Sequence, residues 1–354
     1  MVKKTKPVQR DIARIAQVSQ AAVSMVVNGK ADENGIPETT QERIRVAIHK
    51  LGYVPNVAAR SLRGGRNGLI GVHTFERVFP VKSDDYYNEF LIGIEEQAVE
   101  LGQDLVLFAS TQGSDGTRTI YGSGSNRLKL ADGAVILGIE QNDEELERLA
   151  GEGFPFVFIG RRDVPGVPYV TAGYFGAVGA VIGTLTDHGH HAIAYLGTSL
   201  RKNPQEERRA GFDEAMASRG LSATQQLICE PSELTEAWLL ALLEVGTTAI
   251  VIENHELTTT LGDLAEAAGV VIPDQLSVVA LDSAPRAAAV NPWSHITVPR
   301  RELGRRAVAV LIGLLDGRIA SDHFEVVPCE PPLLTTIARL HNAPELGPTL
   351  DPVR

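Results

Sequence analysis

The side chains that could do chemistry in this sequence are grouped for recognition and not for bond making. No G-x-S-x-G elbow, G-x-x-x-x-G-K-[ST] phosphate loop or H-E-x-x-H pair occurs. His188, His190 and His191 cluster, but no cysteine or carboxylate stands beside them at metal-ligand spacing. Their place at a helix end suits capping and charge–dipole interaction instead. Gly173, Gly176 and Gly179 follow a strand-like run, yet the dinucleotide fingerprint needs its first two glycines two residues apart. The every-third spacing predicts a helix packed close to its sheet. Two other sets remain. Gln20, Ala21, Ser24 and Met25 share one face of a short helix, where an amide can pair bidentately with adenine and apolar atoms can meet thymine methyls. The second set stands just past apolar strand-like runs: His73 and Phe75, Tyr87 at the next helix, Arg161, Asn254 and Asp282, with Arg208 in Arg-Arg-Ala-Gly-Phe. Planar guanidinium, carboxylate and amide groups bind adjacent hydroxyls in pairs, so this set suits a polyol. An interlobe salt-bridge network is the structural alternative.

The first set needs a small helical frame. Ile12, Ala13, Ile15 and Ala16 recur at helical spacing, and a break follows at Gln17-Val18. Ser19 is a good N-cap for a second helix whose apolar face is Val23, Val26 and Val27, closed by Asn28-Gly29. A third helix runs from about Glu38 to Leu51, with Ile44, Ile48 and Leu51 inward, and ends at Gly52. Two short helices joined by a tight turn, the second presenting small and amide side chains, read as a helix-turn-helix. A plain helical bundle is the bland alternative. The stretch Asn56–Arg63 could form about two helical turns, and helices shorter than ~12 residues are marginal alone in water. It should fold only when docked, and Gly64-Gly65-Arg66-Asn67-Gly68 after it reads as a joint.

The second set needs strands. Runs at Leu69–Val72, Asp104–Ala109, Gly133–Leu137 and Phe156–Ile159 form one group. Ala192–Leu196, Leu227–Cys229, Ala249–Ile252 and Ser277–Leu281 form another, with helical patterns between. Such alternation predicts two parallel sheets covered on both faces, with ligands at the carboxyl ends of the strands.

Composition narrows the class. Hydrophobic residues at 44% and charged at 22% allow a large core in 354 residues, enough for two to three domains. No apolar run approaches the roughly 18 residues that span a bilayer. Lys3, Lys4 and Lys6 are followed by no apolar segment, so a cytoplasmic protein without a secretory signal is expected. Cys229 and Cys329 cannot make a disulfide framework. The net charge of −11 conceals an asymmetry: Met1–Arg66 carries 12 Lys and Arg against 5 Asp and Glu, and the remainder 21 against 39. A basic head on an acidic body is expected when one domain meets a polyanion.

The runs DIARIAQVSQAAVSMVVNG, RIRVAIHKLGYVPNVAARSLR and LIGV resemble the LacI/GalR family of bacterial transcriptional regulators. The resemblance extends from about Val8 to Leu340. It implies a small all-α helix-turn-helix head, a hinge helix, and an α/β periplasmic-binding-protein-like core of two doubly wound parallel-sheet lobes. The expected divisions are 1–54 for the head, 55–68 for the hinge and 69–340 for the core. Within the core, 69–160 and 296–320 would form the first lobe, and 163–292 and 324–340 the second, with strands near Phe324–Val327 and Leu333–Ile337. The expected DNA contacts are Ser19, Gln20, Ala21, Ser24, Met25, Asn28, Tyr53, Asn56, Ala59 and Leu62, the last wedged into the minor groove. Arg208, Asn254 and Asp282 resemble the family's effector ligands, beside His73, Phe75, Tyr87 and Arg161. The implied partners are pseudo-palindromic operator DNA, a small effector (a sugar first, with a purine-like or phosphorylated corepressor as rival) and a second copy of the chain. No cofactor, metal or catalysis is implied. Arg161-Arg162 keep anionic ligands open, and a free-standing sugar-binding α/β protein is the rival from another class.

The sequence departs from the family pattern in places. Met25 stands where arginine is frequent, Gln17 at the turn glycine, and Pro37 at the capping serine after a lengthened Lys30–Gly35 loop. Gly173 and His255 stand where aspartate is frequent. Pro344, Pro348 and Pro352 exclude a leucine-heptad helix in the tail 341–354, which favours a dimer.

Overall fold

The computed structural model describes residues 7–53, 66–75, 86–109, 118–122, 124–138, 142–283 and 293–340. The chain divides into two compact units, Met1–Asn67 and Gly68–Arg354. Helices in the first are α1 (Gln9–Ala16), α2 (Gln20–Val27) and α3 (Glu38–Leu51). Ile12, Ala16, Val23, Ile44 and Ala47 form its buried core, with Val26, Val27, Ile48, Leu51 and Tyr53 packed around them.

Two departures from the family pattern have local answers. Gln17 adopts the left-handed conformation, φ 51° and ψ 51°, that the α1–α2 turn requires. A side chain there costs about 1–2 kcal/mol that glycine would avoid. Pro37 gives α3 no side-chain cap. The buried Gln41 instead ties down the lengthened loop, donating from Nε2 to Asp32 Oδ1 at 2.8 Å and to the Ile36 carbonyl at 2.9 Å.

The second unit holds two parallel sheets. The first runs in the order β11-β5-β4-β3-β1-β2, with β1 Leu69–Thr74, β2 Asp104–Phe108, β3 Gly133–Leu137, β4 Phe156–Ile159, β5 Tyr169–Ala172 and β11 Phe324–Val327. Alternate strand residues enter different cores. Val72, Val135, Val157 and Val170 pack under α4 (Asn88–Glu100) and α10 (Arg300–Leu315). Ala134, Ile136, Phe156 and Phe158 pack with Leu146 and Leu149 of α5 (Asp143–Gly151). The continuous apolar runs follow from this two-sided burial.

The second sheet runs β10-β9-β8-β6-β7, with β6 Ile193–Gly197, β7 Gln226–Ile228, β8 Ala249–Ile252, β9 Ser277–Ala280 and β10 Ser294–His295. Its faces carry α6 (Tyr174–Asp187) and α7 (Asn203–Ala217) on one side, and α8 (Glu236–Glu244) and α9 (His255–Ala268) on the other.

Three expectations are corrected. Residues 169–172 and 324–327 belong to the first lobe, not the second, because β5 pairs with β4 and β11 with β5. Leu333–Ile337 is no strand. Thr336 instead joins the second lobe by side-chain and backbone bonds to Ser294 and Val278. Gly176 and Gly179 face open space, so they serve no close packing. The close approach lies elsewhere: a Cβ on Gly93 would stand 1.9 Å from the Arg301 carbonyl oxygen, and one on Gly304 2.3 Å from that of Phe90. Backbones of α4 and α10 therefore touch.

The chain crosses between lobes near Gly173, near Thr297 and beyond Val327. These crossings are laced together, with Gly173 N–H donating to the Val327 carbonyl and Thr297 and Glu330 exchanging two backbone bonds.

Candidate functional site

In the head, α2 presents Gln20, Ala21 and Asn28 exposed, with Ser24 and Met25 half-buried beside them. The face is short and mostly uncharged, and its side chains are held. Ser19 Oγ accepts from the Ala22 N–H at 3.1 Å, and Asn28 Nδ2 donates to Ser24 Oγ at 3.2 Å. Ser19 is thus a helix cap, and Gln20 stands exposed beside it. Tyr53 packs on the head's core. Asn56, Ala59 and Leu62 lie outside the described residues.

In the core, the carboxyl ends of both sheets face the lobe junction. Of the seven cleft residues expected there, the fold brings two together: Arg208 Nη2 lies 3.4 Å from Asp282 Oδ2. Arg208 is buried in the first half of α7, stacked 4.4 Å over the Tyr174 ring. Asp282 follows β9, and its Oδ1 accepts the Ser283 N–H and an Arg300 Nη2 hydrogen. Arg300 opens α10 just past a crossing, with its guanidinium 4.9 Å over the Tyr86 ring. Burial pushes the Tyr174 hydroxyl well above its ordinary pKa, so both rings remain neutral platforms.

The other expected residues have different places. Tyr87 is buried in the first lobe's core, and its neighbour Tyr86 presents its ring to the Arg300 guanidinium. Phe75 also joins a core and meets the His73 ring edge-on at 5.1 Å. Asn254 Oδ1 accepts from the Leu257 N–H at 2.9 Å and so caps α9, which leaves only its NH2 for a ligand. Arg161 is 45% exposed and holds Asp163 at 3.1 Å and Glu207 at 3.5 Å. With Asn203 Nδ2 donating to the Arg161 carbonyl at 2.8 Å, it clasps the two lobes. Arg162 folds back over Phe158 and donates to carbonyls of Gly138 and Arg161. Neither arginine therefore supplies the anion site that their adjacency suggests.

Sequence reading missed Arg300. The signal for Arg300 was thin: a cation directly after Val298-Pro299, with no strand pattern to place it. Glu253 is fully buried, receives the Tyr195 hydroxyl and the Thr198 N–H (2.8 Å), and takes Arg201 Nη1 at 2.8 and 3.0 Å. It fixes the turn from β6 into α7, and so the height at which Arg208 enters the cleft.

His73, near the carboxyl end of β1, is buried beside Phe75, Phe108 and Arg118. Burial pushes its pKa down to about 4, the Arg118 charge adds to this, and the Phe108 backbone opposes it weakly. Neither ring nitrogen has a hydrogen-bond partner of good geometry among the described residues, and burial keeps the imidazole neutral. Between pH 6.5 and 4 the unfolded chain gains a proton at this residue that the folded chain refuses. Stability is therefore full above pH 6.5 and falls by about 3 kcal/mol on acidification through that window. His73→Phe should flatten this part of the acid limb in denaturant titrations. A limb identical to the parent's would refute the assignment.

A helix-turn-helix head and a two-lobed core with a polar junction between its sheets are the arrangement of a DNA-binding regulator with an effector-binding domain. Residues 9–56 match the model of the bacterial regulatory proteins of the lacI family, and residues 182–332 match the periplasmic binding protein-like domain. The HTH-type transcriptional regulator DegA of Bacillus subtilis (strain 168) is 30% identical over 309 residues, covering 83% of this chain and 87% of the relative. Catabolite control protein A of Priestia megaterium is 27% identical over 310 residues, covering 85% and 90%. The lac repressor dimer bound to operator and the anti-inducer ONPF superposes with a TM-score of 0.71 at 20% identity, covering 94% of this chain and 100% of that one. The regulator CelR in complex with cellobiose gives 0.62 at 22% identity, with the same coverage. The chain belongs to the lacI family of bacterial regulatory proteins, which are transcriptional regulators and not enzymes.

Proposed function

We propose that the protein is a repressor that binds a pseudo-palindromic operator as a homodimer and changes its grip when a polyol effector enters the interlobe cleft. The observation that carries this reading is the Arg208–Asp282 pair at the lobe junction, with Arg208 stacked over Tyr174 and its neighbour Arg300 over Tyr86. Planar groups of this kind bind vicinal hydroxyls, and the CelR relative is seen with cellobiose. Ligand held between lobes fixes one closure angle, and it alters DNA affinity only through unequal binding to the two arrangements. Dimerisation is supported by apolar side chains left exposed along both sheet edges. Val99, Leu105 and Leu107 stand at the β2 edge, and Ile228, Leu240 and Val245 at the β7 edge. Among the described residues no helix is long and apolar enough to cross a membrane, which accords with a cytoplasmic regulator.

Binding-site selection from random duplexes tests the proposal. The parent should enrich a two-fold symmetric site. Gln20→Ala should relax one symmetric pair of positions, since a bidentate base contact is worth about 1–3 kcal/mol, while nonspecific binding stays nearly unchanged. Asymmetric sites, or identical base preferences in parent and variant, would overturn it.

A further inference from the structure

At one end of the lobe junction two arginines share one carboxylate. Arg201 is matched by Glu253, and Arg161 by Asp163 and Glu207. Among the described residues, Asp282 is the carboxylate that pairs with both Arg208 and Arg300. Arg208 is buried and the Arg300 side chain is 13% exposed, and the Nε of each lacks a hydrogen-bond partner among the described residues. Arginine cannot shed its proton to relieve burial, as lysine would. Stacking over Tyr86 and Tyr174 offsets only part of the desolvation of each.

We propose that the effector carries one anionic group, a carboxylate or a phosphoryl, on its polyol frame, and that Arg208 and Arg300 receive it. The inference rests on the cleft reading above and deepens it from a polyol to an anionic polyol. The ligand would bring a second negative charge to the trio of Arg208, Arg300 and Asp282. Two guanidinium groups converging on one carboxylate leave planar donor edges, the geometry that receives carboxylate and phosphate bidentately. Ser283 Oγ, 3.0 Å from Arg300 Nη1, steadies the second guanidinium. The hydroxyls of the same ligand would face Asp282 and His73.

Inorganic phosphate is the probe, titrated against chloride at constant ionic strength with the full chain. Unfolding is followed by the fluorescence of Trp238 and Trp293, both in the second lobe. The parent's midpoint should rise saturably with phosphate. Arg300→Met should lose that rise and, without phosphate, be at least as stable as the parent, because one Arg208–Asp282 pair remains. An absent rise in the parent, or an equal rise in the variant, overturns the proposal. Should Arg300→Met fail to fold, Arg300→Lys keeps the charge but only one point of contact, so its rise should be smaller; an undiminished one overturns the proposal. Sodium formate in the same titration separates the sources, since a response to both anions supports a carboxylate and a response to phosphate alone a phosphoryl group. The two readings fail separately. Operator release by neutral D-glucose or D-galactose, without an Arg300-dependent phosphate rise, sinks the anionic assignment and leaves the regulator. An Arg300-dependent rise in a chain that selects no symmetric duplex sinks the regulator and leaves the anion site.

Discussion

Glu253→Ala should lower the stability of the core by about 3 kcal/mol, within the 3–5 kcal/mol range typical of a buried ion pair that loses one partner. The value falls at the low end because Arg201 is 27% exposed and also holds Glu206 at 3.0 Å, so its charge finds water and a second carboxylate. The remaining cost comes from the Tyr195 hydroxyl and the Thr198 N–H, both left without an acceptor in a buried place. Glu253→Gln should cost less, since the amide oxygen still accepts one of these bonds. Urea unfolding read by tryptophan fluorescence measures both variants. A Glu253→Ala core within 1 kcal/mol of the parent would show that Glu253 does not hold the β6–α7 turn. Because that turn sets the entry of Arg208, the same variant should also lose the phosphate response.

How much of this was legible beforehand depended on the kind of signal. The two sheets could be read because burial on both faces forces continuous apolar runs such as Gly133–Leu137 and Phe156–Ile159. Tyr169–Ala172 escaped because its four residues mix Tyr, Val, Thr and Ala, and its membership is decided by pairing with Phe158 and Ile159. The same blindness placed Phe324–Val327 in the wrong lobe: pairing partner, not pattern, assigns a strand to a sheet. In the site, Arg208 and Asp282 were legible through the family resemblance. Their common neighbour Arg300 was not, since it arrives by a chain crossing that only tertiary structure reveals. Position after a strand was a weak guide for Tyr87 and Asn254, because local demands, a core to fill and a helix to cap, claim such residues as readily as a ligand does.

Ile44→Ala should unfold the head and leave the core standing. Ile44 is fully buried on α3, against a core whose other fully or nearly fully buried members are Ile12, Ala16, Val23 and Ala47. Truncating a buried isoleucine costs about 2–5 kcal/mol. A single core below about 70 residues rarely supplies more than 3–5 kcal/mol in total. Loss and supply are therefore equal in size, and the folded head should become a minor species near 37 °C. Apparent operator affinity falls with the folded fraction, and nonspecific duplex binding falls with it, since both use the same folded surface. This separates Ile44→Ala from Gln20→Ala, which alters base preference and leaves nonspecific binding alone. Neither tryptophan lies in the head, so the fluorescence midpoint should not move while helical circular dichroism drops by the contribution of α1 to α3. Unchanged operator affinity would mean that the head does not bind the duplex through its folded form. A fluorescence midpoint that shifts together with the affinity would mean that head and core do not fold as separate units.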